Sequence, residues 1–305
     1  MKTLVTGALG ATPDELNMLE GLGLDITLHP DERQPVTCPE QYEAVIGNGL
    51  FQWNDISAFS NLKYIQLTSA GYDRLPMDYV NAHGITIHNA AGVYSGPMAE
   101  WTVMVLLELF KNADKSRENR LACRWEKNRA WRELSGKTAC ILGFGAYGQA
   151  VAKRLKAFDM TVRVVNRTKK DSPFADSFHP LEELEQVLAV SDVVILAIAL
   201  AEGTESLIGL QQIRAMKPGA VLVNAARGGL LDEDALADTL KPGHLAGAAL
   251  DVFRQEPLPE SSPLWSLPNV ILTPHNSFIG EGNHRRMMEV VRNNLLHRKE
   301  ESGRK

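Results

Sequence analysis

Residues 138–157, TACILGFGAYGQAVAKRLKA, run from a short apolar strand through a glycine-rich turn into a helix, and they decide the fold. In that context Gly143 allows a tight turn, Gly145 lets the backbone approach a pyrophosphate, and Gly148 lets the helix pack closely. The start of the helix offers free N–H groups and the positive end of its dipole to a phosphate. The stretch predicts a dinucleotide-binding βαβ unit, and the alternative is a purely structural turn.

The chain after this stretch continues to alternate apolar runs with helical segments. Such alternation is typical of a doubly wound parallel sheet with helices on both faces. The runs predict strands at 138–142, 161–165, 193–197, 220–224, 245–250 and 270–272.

The chain before this stretch predicts a second sheet of the same type. Thr12, Pro13 and Glu15 form a capping signature, so a helix should begin there. Residues 96–115 predict a long apolar helix that leads from one unit to the other, and 282–297 predict a C-terminal helix followed by a frayed charged tail at 298–305. The predicted strands lie at 3–6, 26–28, 44–46, 64–67 and 85–88.

Length and composition exclude several classes of protein. A chain of 305 residues with 44% hydrophobic and 23% charged residues predicts two globular domains with a cleft between them. A net charge of -5 gives no reason to expect nucleic acid or an anionic membrane as a partner. The longest apolar run, 193–201, is about half as long as a membrane-spanning helix. Three scattered cysteines without CxxC spacing favour a reducing cytoplasm and argue against a disulfide framework or a metal site.

The loop after the strand at 161–165 bears on the choice of cofactor. A carboxylate at this position normally binds the ribose hydroxyls of NAD, but this loop reads Asn166, Arg167, Thr168, Lys169 and Lys170. Three cations and a hydroxyl suit a 2′-phosphate better than a diol. The loop therefore favours NADP, while NAD and a solvated basic loop without selectivity remain the alternatives.

Three candidate catalytic residues each follow a predicted strand. They are Arg227, Glu256 and His275, and the carboxyl ends of strands in a doubly wound sheet share one crevice. A guanidinium can bind a substrate carboxylate and polarise a ketone, while an imidazolium can protonate the developing alkoxide and a carboxylate can orient it. Taken singly, each has an ordinary structural explanation, but together they suit hydride transfer to a 2-keto acid.

The motifs together resemble the D-isomer-specific 2-hydroxyacid dehydrogenase family over nearly the whole chain. They are the glycine-rich turn, the blocks AARGG (225–229), LDVFRQEPLP (250–259) and TPH (273–275), and the segments LTSAGYD (67–73) and AEWT (99–102). The resemblance implies that Arg227, Glu256 and His275 are the catalytic triad. It further implies that the substrate is bound by Ala70, Gly71, Arg227 and His275. The implied cofactor-binding residues are Thr102, Gly143, Gly145, Ala146, Tyr147, Gly148, Asn166, Arg167, Thr168, Ala226 and Asp251.

The resemblance also implies an α/β architecture of two doubly wound parallel-sheet domains. A discontinuous flavodoxin-like substrate domain would comprise 1–92 and 280–305, and a Rossmann cofactor domain would comprise 93–279. Members of the family are usually homodimers joined through the cofactor domains, with 117–136 expected to form part of the interface. Without the resemblance, 117–136 would be a solvated connector whose residues Trp125 and Trp131 cover neighbouring helices.

Two loops depart from the family's pattern. Residues 199–204, ALAEGT, replace its usual Pro-Leu-Thr-Pro-type turn, so cofactor contacts there are open. The loop 47–53, GNGLFQW, lacks an arginine for a substrate phosphate, and its Phe51 and Trp53 suit either an apolar substrate or ordinary packing.

We therefore expect an NADPH-preferring reductase of a small 2-keto acid; an NAD-dependent 3-phosphoglycerate dehydrogenase and a nucleotide-sensing corepressor-type protein are the alternatives.

Overall fold

The computed structural model describes residues 1–302, with side chains to residue 298. Its contacts divide the chain into two compact units. The first unit comprises Met1–Tyr94 and the segment from Gly280 onward, and the second comprises Ser95–Ile279. These boundaries lie within two residues of the division at 92/93 and 279/280 expected from the resemblance.

Strands and helices alternate along the chain and are numbered in chain order. The strands are β1 Lys2–Thr6, β2 Asp25–His29, β3 Ala44–Gly47, β4 Tyr64–Leu67, β5 Thr86–His88, β6 Thr138–Leu142, β7 Thr161–Val165, β8 Ser177–His179, β9 Val193–Leu196, β10 Val221–Asn224, β11 Gly247–Leu250 and β12 Val270–Leu272. The helices are α1 Pro13–Gly21, α2 Met77–Ala82, α3 Ser95–Lys111, α4 Ala113–Leu121, α5 Ala146–Lys156, α6 Leu184–Val190, α7 Leu210–Ala215, α8 Glu233–Leu240 and α9 Asn283–Ser302.

The first unit is a five-stranded parallel sheet in the order β2-β1-β3-β4-β5. This is the flavodoxin-like order of a doubly wound fold. Strands β3 and β4 are buried at every residue, because apolar side chains cover both faces of the sheet. Helix α1 begins as predicted, since Thr12 and Glu15 form a reciprocal capping box.

The second unit is a seven-stranded parallel sheet in the order β12-β11-β10-β9-β6-β7-β8. The order reverses between β6 and β9, and ligands of doubly wound sheets bind at the carboxyl edge beside such a reversal. Two large apolar clusters cover the two faces. The glycine-rich turn follows β6, while Arg227, Glu256 and His275 follow β10, β11 and β12. All four segments therefore leave the sheet at one edge.

The structure corrects the sequence predictions at several places. Each predicted strand overlaps an observed one, but the short strand β8 was missed. The predicted helix 96–115 is two helices, because Asn112 adopts the left-handed conformation at φ 47° and ends α3 at Lys111. Helix α9 extends to Ser302, five residues beyond its predicted end at 297; residues 303–305 of the tail predicted to be frayed lie outside the described part of the chain.

The tryptophans of the 117–136 segment are exposed. Trp125 is 98% exposed and Trp131 is 52% exposed, so the prediction that they cover neighbouring helices is wrong within one chain. Across residues 1–302, no helix is long and apolar enough to span a membrane.

Candidate active site

The glycine-rich turn leaves bare backbone at the start of α5. Gly143 has a φ of +93°, and a Cβ there would lie 2.5 Å from the Ala197 carbonyl oxygen, so only glycine fits without strain. A Cβ on Gly148 would lie 2.4 Å from the carbonyl oxygen of Gly143, because helix and turn approach closely. A Cβ on Gly145 would meet nothing within 4 Å, and Gly145 and Ala146 are exposed. This open, side-chain-free helix N-terminus fits the pyrophosphate of a dinucleotide.

A hydrogen-bonded pair lies behind the turn. The hydroxyl of buried Thr102 on α3 donates to the Met98 carbonyl at 2.9 Å and lies 2.8 Å from the hydroxyl of Tyr147. Burial raises the pKa of the Tyr147 phenol; the Thr102 hydrogen bond opposes this rise, and the negative charge of Asp251 adds to it. The phenol therefore stays neutral and ties α3 to the first turn of α5.

The loop after β7 folds against the glycine-rich turn. The Asn166 side-chain amide donates to the Thr168 carbonyl at 2.8 Å, and the Lys170 ammonium donates to the Phe144 carbonyl at 3.0 Å. Arg167 is exposed and forms no ion pair within residues 1–298. The structure thus places Asn166, Arg167 and Thr168 beside the dinucleotide turn, with the Arg167 guanidinium available to a ligand.

Arg227 is held by hydrogen bonds within its own loop. The side chain of buried Asn224 donates to the Arg227 carbonyl at 2.9 Å and accepts from the Ala226 N–H at 3.1 Å. The half-buried Arg227 guanidinium also donates to the Ala226 carbonyl at 2.8 Å. Next in the chain, Gly228 packs so tightly that a Cβ would lie 1.9 Å from the backbone of Phe253. The loop of Arg227 is therefore fixed against the loop that carries Glu256.

His275 and Glu256 form a direct pair. His275 Nδ1 lies 2.7 Å from Glu256 Oε2, while Glu256 Oε1 accepts the Phe253 N–H at 3.0 Å. The peptide bond between Glu256 and Pro257 is cis. Both side chains are more than one third exposed, and His275 Nε2 has no hydrogen-bond partner among the described residues. The carboxylate thus orients the ring and leaves Nε2 available to a substrate.

Asp251 anchors the loop of His275. Its buried carboxylate accepts hydrogen bonds from the Thr273 hydroxyl at 2.5 Å, the Asn276 N–H at 3.0 Å and the Ser277 N–H at 2.9 Å. The His275 N–H donates to the Asp251 carbonyl at 2.8 Å, and His275 has a φ of +50°. A non-glycine residue in this conformation is strained, so the surrounding bonds must hold it there.

Asn224 and Thr273 are functional candidates that sequence reasoning missed. Asn224 is hydrogen-bonded to the backbone of Arg227, and Thr273 is hydrogen-bonded to Asp251, which in turn anchors the loop of His275. The signal available in the sequence was a polar residue directly at or after the end of an apolar strand, in VLVN and VILT.

Ala70 and Gly71 lie in the first unit, on the loop after β4. The Asn89 side chain donates to the Ala70 carbonyl at 2.7 Å, and the Ser69 hydroxyl donates to the Gly71 carbonyl at 3.0 Å. Their own N–H groups donate no hydrogen bond within residues 1–302. The loop is fixed through its carbonyls, and its donors remain available to an anion.

The departures in the second unit have a structural explanation. Thr204 makes its own turn, because its hydroxyl accepts from the Ala201 N–H at 2.8 Å and donates to the Ala199 carbonyl at 3.0 Å.

The described residues contain no group of three His, Cys, Asp or Glu side chains placed to hold a metal ion. All three cysteines are free.

Comparison with known proteins matches these features to one family. The family model for the D-isomer specific 2-hydroxyacid dehydrogenase NAD-binding domain matches residues 103–277. A glyoxylate reductase from Thermococcus gammatolerans is 37% identical over 246 residues, which cover 77% of this chain and 72% of that protein.

Two solved structures are similar along almost their whole length. A glyoxylate reductase from Paecilomyes thermophila has a TM-score of 0.83 at 29% identity and covers 97% of this chain and 94% of that one. An NADPH-dependent glyoxylate/hydroxypyruvate reductase from Sinorhizobium meliloti has a TM-score of 0.76 at 27% identity, with 95% and 91% covered. The match to the family model spans more than half of the chain, and the relatives share its two-sheet fold. This chain belongs to the D-isomer specific 2-hydroxyacid dehydrogenase family.

Proposed function

We propose that the protein reduces a small 2-keto acid to the D-2-hydroxy acid with NADPH, using Arg227, Glu256 and His275. The observation that carries this proposal is the 2.7 Å contact between His275 Nδ1 and Glu256 Oε2, which leaves Nε2 available on the other side of the ring. Glyoxylate reductase relatives support the substrate class.

The roles of the residues follow from their contacts. Glu256 accepts the Nδ1–H of His275, stabilises the imidazolium and aims Nε2, which donates its proton to the substrate oxygen as the ketone becomes an alkoxide. Arg227 binds the substrate carboxylate and polarises the ketone. When bound along the bare helix N-terminus at Gly145, the reduced nicotinamide cofactor supplies the hydride. We assign the free N–H groups of Ala70 and Gly71 to the substrate carboxylate and Asp251 to the nicotinamide amide.

A His275→Ala variant tests the catalytic assignment. We expect kcat to fall by about 100-fold or more, since general acid catalysis contributes about that much, while the Kd for NADPH stays the same. Steady-state kinetics and NADPH fluorescence titration measure the two quantities. If turnover persisted at the wild-type rate, His275 would have no place in the mechanism.

NADPH preference is proposed from the loop after β7. The exposed Arg167 guanidinium can bind a 2′-phosphate, and the Lys170 ammonium adds positive charge at the glycine-rich turn. The NADPH-dependent relative supports this choice. In an Arg167→Asp variant, the ratio of kcat/KM for NADPH to that for NADH should fall by about tenfold or more. An unchanged ratio would contradict the proposed phosphate contact.

The first experiment is steady-state reduction of a keto acid panel with NADPH and NADH in parallel. Glyoxylate, hydroxypyruvate, 3-phosphohydroxypyruvate, 2-ketoisocaproate and phenylpyruvate vary the substituent and keep the reacting group. Activity with NADPH is the expected result, whereas cofactor binding without turnover of any acid would refute the reductase proposal.

We propose that the protein is a homodimer joined through segment 117–136. The 98% exposure of Trp125 supports burial of this segment against a second copy, because large aromatic residues are enriched at interfaces. Light scattering at micromolar concentration measures the mass directly.

A further inference from the structure

Two loops of the first unit start side by side at the carboxyl edge of its sheet. Strands β3 and β4 are parallel neighbours with Gly47 opposite Leu67, and the Thr68 N–H donates to the Gly47 carbonyl at 2.8 Å. The loop after β4 continues through Ala70 and Gly71, which the proposed function assigns to the substrate carboxylate. Groups on the neighbouring loop after β3 are therefore close to a substrate held there.

The loop after β3 is held by one carboxylate. Glu32 accepts the N–H groups of Asn48 at 2.6 Å and Gly49 at 2.7 Å, together with the Thr6 hydroxyl at 2.7 Å. A Cβ on Gly47 would lie 2.7 Å from Glu32 Oε1, so this position has no room for a side chain. The result is a rigid backbone surface whose negative charge is already engaged by three donors.

Arg74 reaches this surface from the other loop. A Cβ on Gly49 would lie only 3.9 Å from Arg74 Cδ, so the aliphatic part of the arginine passes beside Gly49. The turn that contains Arg74 is closed by a backbone hydrogen bond from the Leu75 N–H to the Tyr72 carbonyl at 2.9 Å. The turn therefore does not depend on the Arg74 guanidinium. Arg74 is exposed and makes no ion pair or side-chain hydrogen bond within residues 1–298.

The proximity of Arg74 to the loop after β3 is not evident from the sequence. The loop 47–53 contains no arginine, which argues against an anionic substrate substituent, but the fold brings one in from the loop after β4. Phe51 has an ordinary packing role, because its ring meets Phe59 edge-on at 5.3 Å. The structure therefore removes one argument for an apolar substrate and supplies a cation in its place.

We propose that Arg74 is a specificity-determining residue that binds an oxyanion, a phosphate or a carboxylate, at the far end of the 2-keto acid. This inference rests on the proposed function, because it takes Ala70 and Gly71 as the site of the 2-carboxylate. Its physical basis is the planar fork of N–H donors that a guanidinium offers to an oxyanion. Glyoxylate has no far end and should be indifferent to Arg74.

The test compares substrates within one variant. In Arg74→Ala, we expect kcat/KM for the acids with a second anionic group to fall by about 10- to 100-fold, as is typical for the loss of a charge-assisted contact. The value for glyoxylate should change less than about twofold, the scatter expected of a neutral surface change. Comparison of 3-phosphohydroxypyruvate with 2-ketoglutarate shows whether Arg74 binds a phosphate or a carboxylate. Arg74→Lys should lose part of the effect, because it keeps the charge and loses the fork. Arg285→Ala, an exposed arginine on α9 paired with Glu289, is the matched control.

Two outcomes would overturn the inference. Equal losses of kcat/KM for glyoxylate and for the anionic acids would make Arg74 a general structural residue. Wild-type kcat/KM values for all of the acids would leave Arg74 without a role. Calorimetric titration of the same acids into the protein loaded with NADP⁺ reads binding without turnover. If Arg74→Ala selectively weakened the binding of the anionic acids in this titration, while neither the wild type nor the variant turned over any acid, the result would uphold the role of Arg74 and refute the reductase proposal.

Discussion

A single added methyl group at Gly228 should disable the site without touching any proposed catalytic side chain. A Cβ at Gly228 would lie 1.9 Å from the carbonyl carbon of Phe253, 2.1 Å from its oxygen and 2.4 Å from the Arg254 nitrogen. Ordinary contact begins at 3.4 Å, so the two loops must separate by about 1.5 Å (3.4 − 1.9). All three obstacles are backbone atoms, and no rotamer change can relieve the clash. One loop carries Arg227 and the other carries Glu256.

The expected result of Gly228→Ala is a fall in kcat/KM of about 100-fold, since displacement of about 1 Å at a catalytic group costs that much. The free energy of unfolding should fall by about 1–3 kcal/mol, as is usual for an overpacked core. Steady-state kinetics and urea denaturation measure the two effects. NADPH affinity, read by titration, should fall much less than kcat/KM, because the glycine-rich turn at Gly143, Gly145 and Gly148 is untouched and only the contacts assigned to Ala226 and Asp251 lie on the displaced loops.

Two glycine variants serve as matched controls. A Cβ at the adjacent Gly229 would meet only the tip of the Leu200 side chain at 3.0 Å, which can rotate away, so Gly229→Ala should keep most activity. A Cβ at Gly96, the second residue of α3, would meet nothing within 4 Å, and Gly96→Ala should leave kcat/KM unchanged. Near-wild-type kinetics for Gly228→Ala would refute the claim that contact between these loops sets the geometry of the site.

Two further substitutions test the supporting hydrogen bonds. Thr273→Val removes the donor at 2.5 Å from Asp251, and we expect kcat to fall by about tenfold through looser positioning of His275, with about 1–3 kcal/mol less stability; an unchanged kcat would show that the bond does not position the ring. Burial tends to raise the pKa of Asp192, but the Lys217 ammonium at 2.7 Å and the Thr138 N–H outweigh it and leave that pKa below its ordinary value. Asp192 therefore adds stability above about pH 4 that is lost as the pH falls through its lowered pKa. Asp192→Asn should cost about 1–3 kcal/mol at pH 7 and progressively less in acid, as read from urea midpoints across pH; a cost independent of pH would contradict this origin.

The sequence alone determined the two parallel sheets, the dinucleotide turn and the identity of the candidate catalytic residues. These follow from local patterns, since apolar runs of strand length, a glycine-rich strand–turn–helix and polar residues after strands are all legible along the chain. Strand β8, with three residues, was too short to show a pattern, and the break at Asn112 depends on one residue adopting a left-handed conformation within an otherwise helical run.

The tertiary structure decided what holds and surrounds those residues. Asp251 reaches Thr273 across 22 positions, Gly228 packs on Phe253 across the gap between two loops, and Arg74 lies beside Gly49 although the chain separates them by 25 positions. Such contacts depend on which strands are neighbours and where their loops leave the sheet. A parallel sheet joins distant segments through its hydrogen bonds, so these contacts leave no periodic trace in the sequence.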